Sequence, residues 1–114
     1  KANKAQQFYD LKYDEILIQQ SLAKQYGILP KAQEELSWAD FSNLVSGLMY
    51  DTPLAQVVSI RSERDMDIVS RFTKEQKAIR AQWQMFLVRN SKARDNKENI
   101  GKLQETLKAM FGGA

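Results

Sequence analysis

Glu63, Asp65 and Asp67 alternate along one short charged stretch, the densest group of potential metal ligands in the chain. A calcium loop needs a central glycine for its sharp turn and a bidentate Glu at its last position. This stretch has neither, so it reads as a solvated, salt-bridged connector. The remaining catalytic inventory is thin. The sequence contains no Cys, which removes thiol nucleophiles, disulfides and zinc–thiolate sites. It contains no His, the commonest metal ligand and the side chain most used for proton transfer near neutral pH. Hydrolysis by paired carboxylates survives that filter, as does lysine or tyrosine chemistry, but each needs an enclosed pocket. A short helical chain seldom encloses one. The five glycines, Gly27, Gly47, Gly101, Gly112 and Gly113, form no phosphate-cradling loop. The residues point to a non-catalytic protein with no cofactor and no metal site.

Binding chemistry is better represented. Arg80, Arg89, Lys92, Arg94 and Lys97 form a basic run that could neutralise phosphates in a salt-sensitive way. No helix-turn-helix spacing precedes the run and exposed aromatics for base stacking are not evident. A solvated face, or a surface for acidic proteins, is the better reading, and nucleic acid is disfavoured as a partner. Further on, Ile100, Leu103, Leu107, Met110 and Phe111 recur at three and four, one face of a helix. Phe86, Ala93, Ile100 and Leu107 also fall seven apart, a heptad seam, although its partner positions Arg89 and Asn96 are polar. Phe86, Ile100, Leu103, Leu107, Met110 and Phe111 are therefore the candidate partner-binding residues. The aromatic set Trp38, Phe41, Phe72, Trp83 and Phe86 sits at helical spacing and reads as core, with Tyr26 and Tyr50 half-buried beside turns.

These side chains require helices to carry them. Ile18, Leu22 and Tyr26 stack four apart, predicting a first helix over residues 10–26 that stops at Gly27, with Pro30 opposing resumption. Ser37 offers an N-cap to a helix bearing Trp38, Phe41, Leu44, Val45 and Leu48. Asp51 or Thr52 caps the next, with Pro53 at its first position, where no N–H is missed. That helix continues to about Arg61, and the charged stretch after it leaves the helix. Thr73 and Gln76 have the spacing of a reciprocal capping box. From there no Pro intervenes before Gly112-Gly113. One helix of more than thirty residues could follow, packing into the core at 79–87 and loosening through Arg89–Asn99 before its amphipathic end. No repeat or low-complexity tract appears. The expected architecture is all-α, a small bundle of about four helices with a long basic C-terminal helix. It divides into a flexible lead-in (1–9), a helical domain (10–90) and a basic amphipathic tail (91–114).

Length and charge fit that picture. The 114 residues suit one domain with a modest core, and 43% hydrophobic against 27% charged is a globular balance. No apolar run approaches the roughly 20 residues that span a bilayer, so no membrane is implied. Residues 1–70 hold seven Lys/Arg against ten Asp/Glu, and residues 71–114 hold ten against four. The net +3 hides an acidic front and a basic back, an arrangement that favours self-association.

The order of certain residues is itself informative. Gln25-Tyr26-Gly27-Ile28, then Leu36-Ser37-Trp38-Ala39-Asp40-Phe41 and Leu44-Val45-Ser46-Gly47-Leu48, then Asp51-Thr52-Pro53-Leu54 and Ile60-Arg61, resemble a family of small tailed-bacteriophage proteins. Its members are encoded beside the tape-measure gene in the tail-morphogenesis cluster of phages and prophages of Gram-positive hosts. The resemblance covers about residues 20–80 and departs beyond Arg94. It implies a tail assembly chaperone: a small helical protein that coats the tape-measure protein and recruits tail-tube protein in the host bacterial cytoplasm. It also implies structural roles for Gly27 as helix stop, Trp38 and Phe41 as core, Thr52 and Pro53 as cap, and Arg61 as a buried ion-pair donor. The competing readings are a connector or tail-completion subunit retained in the virion, and a nucleic-acid-binding phage protein.

Overall fold

Capping chemistry decides where most of the helices begin. The structure, a computed structural model, describes the backbone of residues 7–111 and the side chains of 7–91 and 100–110. Most of the expected lead-in, the closing Gly112-Gly113, and the side chains of Lys92, Ala93, Arg94, Asn96, Lys97 and Phe111 lie outside the described residues. Six helices follow one another among the described residues: α1 Glu15–Tyr26, α2 Pro30–Gln33, α3 Trp38–Ser46, α4 Pro53–Ser62, α5 Met66–Ser70 and α6 Lys74–Phe111. There is no strand among the described residues, and the fold is all-α. Two compact units divide the chain after Ile79, a boundary inside α6.

In the first unit α1 is the hub, packing against α4, α2 and α3. Ile18, Leu22 and Leu54 are buried at its centre, ringed by the half-buried Leu17, Tyr26, Phe41, Leu44, Leu48 and Val58. Ser37 accepts a hydrogen bond from the Asp40 N–H at 3.1 Å and starts α3. The start of α4 is supplied from two directions. Pro53 has no N–H to satisfy, the Thr52 hydroxyl accepts from the Ala55 N–H at 3.4 Å, and the buried Ser21 hydroxyl of α1 accepts from the Leu54 N–H at 2.9 Å. That Ser21 hydroxyl in turn donates to the Leu17 carbonyl at 2.7 Å. At α6 both arms of the capping box close: the Thr73 N–H donates to Gln76 Oε1 at 2.9 Å and the Gln76 N–H to Thr73 Oγ1 at 3.1 Å.

Several expectations need correction. Pro30, taken as a barrier to helix, is the first residue of the one-turn α2; its fixed φ suits a first helical position as well as it opposes an interior one. A further short helix, α5, follows the charged connector: the Asp65 carboxylate accepts from the Asp67 N–H at 3.0 Å and caps it. The first helix begins at Glu15, five residues later than expected, because residues 10–13 form a separate turn in which the Asp10 carboxylate accepts from the Lys12 and Tyr13 N–H groups. Through Arg89–Asn99 α6 stays helical, so the expected loosening is absent from its backbone; no Pro interrupts it and Lys, Arg, Ala and Glu favour helix. Trp38 is 67% exposed and Tyr50 76% exposed, against core and half-buried placement. Trp38 opens the nine-residue α3, which has no fully buried residue, and its spacing marks a helix face without saying that anything covers it.

Candidate partner-binding surface

The motif residues of the first unit converge on one clamp. Arg61, near the end of α4, forms a two-pronged ion pair with Asp14 at the head of α1, Nη1 to Oδ2 at 2.8 Å and Nη2 to Oδ1 at 2.9 Å. Both side chains are buried. Nη1 also donates to the Phe8 carbonyl at 2.9 Å, and Asp14 Oδ2 accepts from the Asp10 N–H at 3.0 Å. The guanidinium carbon lies 5.8 Å from the centre of the Tyr13 ring. A planar fork on a carboxylate is the geometry in which a buried charge pair best offsets its desolvation. The pair fixes α4, α1 and the entry at residues 8–10 to one another.

At the other end of α1, Gln25 reads the backbone of the α3–α4 loop. Its amide donates to the Gly47 carbonyl at 2.8 Å and its side-chain oxygen accepts from the Met49 N–H at 2.7 Å. Tyr26 donates to the Leu44 carbonyl at 2.8 Å. A Cβ on Gly47 would stand 2.8 Å from that hydroxyl, so a side chain there would push the Tyr26 ring end aside. Gly27 ends α1 in the left-handed conformation, φ 73°, where a Cβ is strained. Gln33 of α2 donates to the Gln19 and Ile28 carbonyls at 3.0 and 2.7 Å. Gly27, Thr52, Pro53 and Arg61 thus sit at caps and in the buried pair, and Phe41 is half-buried. Trp38 stacks on Phe41, ring centres 5.8 Å apart, with most of its own surface in solvent. Sequence reasoning missed Asp14, Ser21 and Gln33, and read Gln25 only as part of a motif.

The interaction candidates lie on α6. Ile100, Leu103, Leu107 and Met110 are 56%, 59%, 45% and 68% exposed. At about 100° per residue these four span an arc of about 80°. Met85 and Val88, 53% and 51% exposed, face the same side, as does the exposed Arg89. Trp83 is buried, and it stacks on the half-buried Phe86 with ring centres 5.2 Å apart. Trp83 and Leu87 are offset from the C-terminal stripe by about 100° or more round the helix, and Phe86 lies between the two directions. The helix therefore has two apolar sides, and Phe86, stacked on Trp83, stands at the edge between them. Arg80 is half-buried and about half a turn round α6 from the exposed Arg89. Met85 and Val88 were passed over because Arg89, Lys92 and Asn96 interrupt the stripe between them and Ile100.

Among the described residues no group of three or more acidic side chains is placed to hold a metal ion. The connector carboxylates are engaged locally, Glu63 accepting from the Asp65 N–H at 3.1 Å and Asp65 capping α5. No helix among the described residues is long and apolar enough to cross a membrane. A family model described as Bacteriophage Gp15 protein matches residues 1–87. No curated protein and no solved structure matches the chain.

Proposed function

Because the chain belongs to the Bacteriophage Gp15 protein family, we propose that this phage protein is a non-catalytic, chaperone-like tail assembly factor that binds tape-measure or tail-tube protein through helical surfaces. The observation that carries the reading is the outer side of α6, where six large apolar side chains from Met85 to Met110 stand about half or more in solvent. Fully burying such a side chain stabilises by roughly 1.5–3 kcal/mol, so a partner that covers several of them gains substantially. An amphipathic helix laid against another helix is a common way to hold an elongated helical client. The segment Arg89–Phe111 carries six Lys/Arg against three Asp/Glu, which favours an acidic client and discriminates against basic ones. Such a factor acts in the host cytoplasm during assembly.

Deleting the gene from its phage should leave heads without tails, and mass spectrometry of purified wild-type virions should not find the chain. Normal tails after deletion would overturn the proposal. A tail defect together with a fixed copy number in the virion would transfer the role to a structural tail component.

A further inference from the structure

Two neighbouring hollows on the first unit share a wall made by Leu11 and Phe41. One, about 220 Å³, is lined further by Ile18, Pro30, Glu15 and Glu34. The other, about 160 Å³, is lined further by Tyr9, Trp38 and Val45. A cavity of roughly 150 Å³ takes a benzene-sized group, so each accommodates one large apolar side chain. Leu11 is 42% exposed and Trp38 67% exposed, and the apolar side chains of the groove alternate with Gln7, Gln19, Gln33, Ser42 and Ser46, a mixed, aromatic-flanked surface suited to an amphipathic helix. The only charges lining it are the exposed carboxylates Glu15 and Glu34; among the described residues no cation lines either hollow.

We propose that this groove receives the C-terminal end of α6 from a second copy of the chain. Leu103 and Leu107 lie one helical turn apart on the exposed stripe and enter the two hollows, and Lys108, which flanks the stripe, meets the Glu15–Glu34 rim. Charge selects this pairing over its obvious competitor. Two α6 ends packed on each other would bring together two segments of net +3 each, six Lys/Arg against three Asp/Glu, whereas the groove offers carboxylates alone. Because tail and groove are different surfaces, the contact is head-to-tail and leaves a free groove at one end and a free tail at the other. Copies add one after another, and the outer side of each α6 from Met85 to Arg89 stays open. This inference needs only the purified chain, so its failure and that of the assembly role are separately visible.

Sedimentation of the full chain tests it with two variants, Leu103→Asp/Leu107→Asp in the tail and Trp38→Glu in the groove. Wild type should form concentration-dependent species larger than a dimer, weakened as salt rises from about 50 to 500 mM, where exposed charges are screened. Each variant alone should associate at least about ten-fold more weakly, since losing one buried apolar contact already exceeds that factor. Mixed together, the two variants should form a 1:1 complex and stop there, because one intact tail and one intact groove remain. Circular dichroism checks folding, and Glu34→Lys, at an exposed position, serves as a second groove variant. Wild type that stays monomeric overturns the proposal. So does undiminished association of the groove variants, which would mean that tails pair with tails, and so does a mixture of variants that forms no complex.

Discussion

In the α1–α4 bundle the polar groups are buried and matched: Asp14 and Arg61 meet through two charge-assisted hydrogen bonds, and Ser21 and Gln33 satisfy backbone groups of neighbouring segments. Along the outer side of α6 the apolar groups are displayed and unmatched within the unit, from Met85 to Met110. The bundle spends its side-chain chemistry on holding itself together. The end of α6 contributes little to any core and retains four large apolar side chains over about three turns. A surface free of stability duties can be specialised for a partner, and a fold tied by specific polar contacts can carry it without relying on it. The family match covers residues 1–87, which hold the clamp and the caps, and Ile100, Leu103, Leu107 and Met110 lie beyond it.

The contrast can be broken most severely at the ion pair. Asp14→Ala or Arg61→Ala should cost about 3–5 kcal/mol, because each leaves an opposite charge buried without its counterpart. Chemical denaturation of the purified variants would measure it. A loss under about 1 kcal/mol would mean that the pair is dispensable and that α1 and α4 are held by Ile18, Leu22 and Leu54 alone. Replacing both partners, as in Asp14→Leu with Arg61→Met, should recover much of the single-variant loss, since an apolar pair avoids the desolvation penalty. A double variant as unstable as the singles would contradict that.

Smaller effects belong to the helix ends. Gly27→Ala should destabilise by about 1–2 kcal/mol, the usual cost of a side chain in the left-handed conformation, read as a lowered midpoint at unchanged slope. Thr73→Ala should cost about 1 kcal/mol by opening the capping box of α6. Loss of helical circular dichroism extending far beyond the first turn would show that the long helix depends on its cap. The smallest effect is expected on the stripe: Leu103→Asp with Leu107→Asp should change the stability of the α1–α4 bundle by less than about 0.5 kcal/mol, as for ordinary surface substitutions.

How much of this was legible in the sequence follows the range of each interaction. Ser37, Thr52 with Pro53, Gly27, and Thr73 with Gln76 act over at most four residues, and each was readable because its partner is fixed by helix geometry. The buried pair was only half readable. Nothing local links Asp14 to Arg61, 47 positions later, and ten acidic residues in the first seventy offer many alternatives. Pro30 was misread because the same fixed φ that stops a helix also starts one. Trp38 was misread because its spacing with Phe41 and Val45 defines a side of α3 but not whether that side is covered. The stripe at Ile100–Met110 was legible as a face, while its extension to Met85 and Val88 was hidden by the polar residues between.

The central claim, that the outer side of α6 exists to hold a phage tail client and not to stabilise the chain, is tested most directly by co-purification. The wild-type chain and a Met85→Asp/Val88→Asp variant, altered at two exposed positions that self-association leaves open, would each be co-expressed with the tape-measure protein of the same phage, and the complex recovered would be measured beside the melting temperature. The account predicts that the wild type retains the tape-measure protein and the variant loses it, with the two chains melting within a few degrees of each other. Equal recovery by both, or a variant that binds less only because it has unfolded, would contradict it.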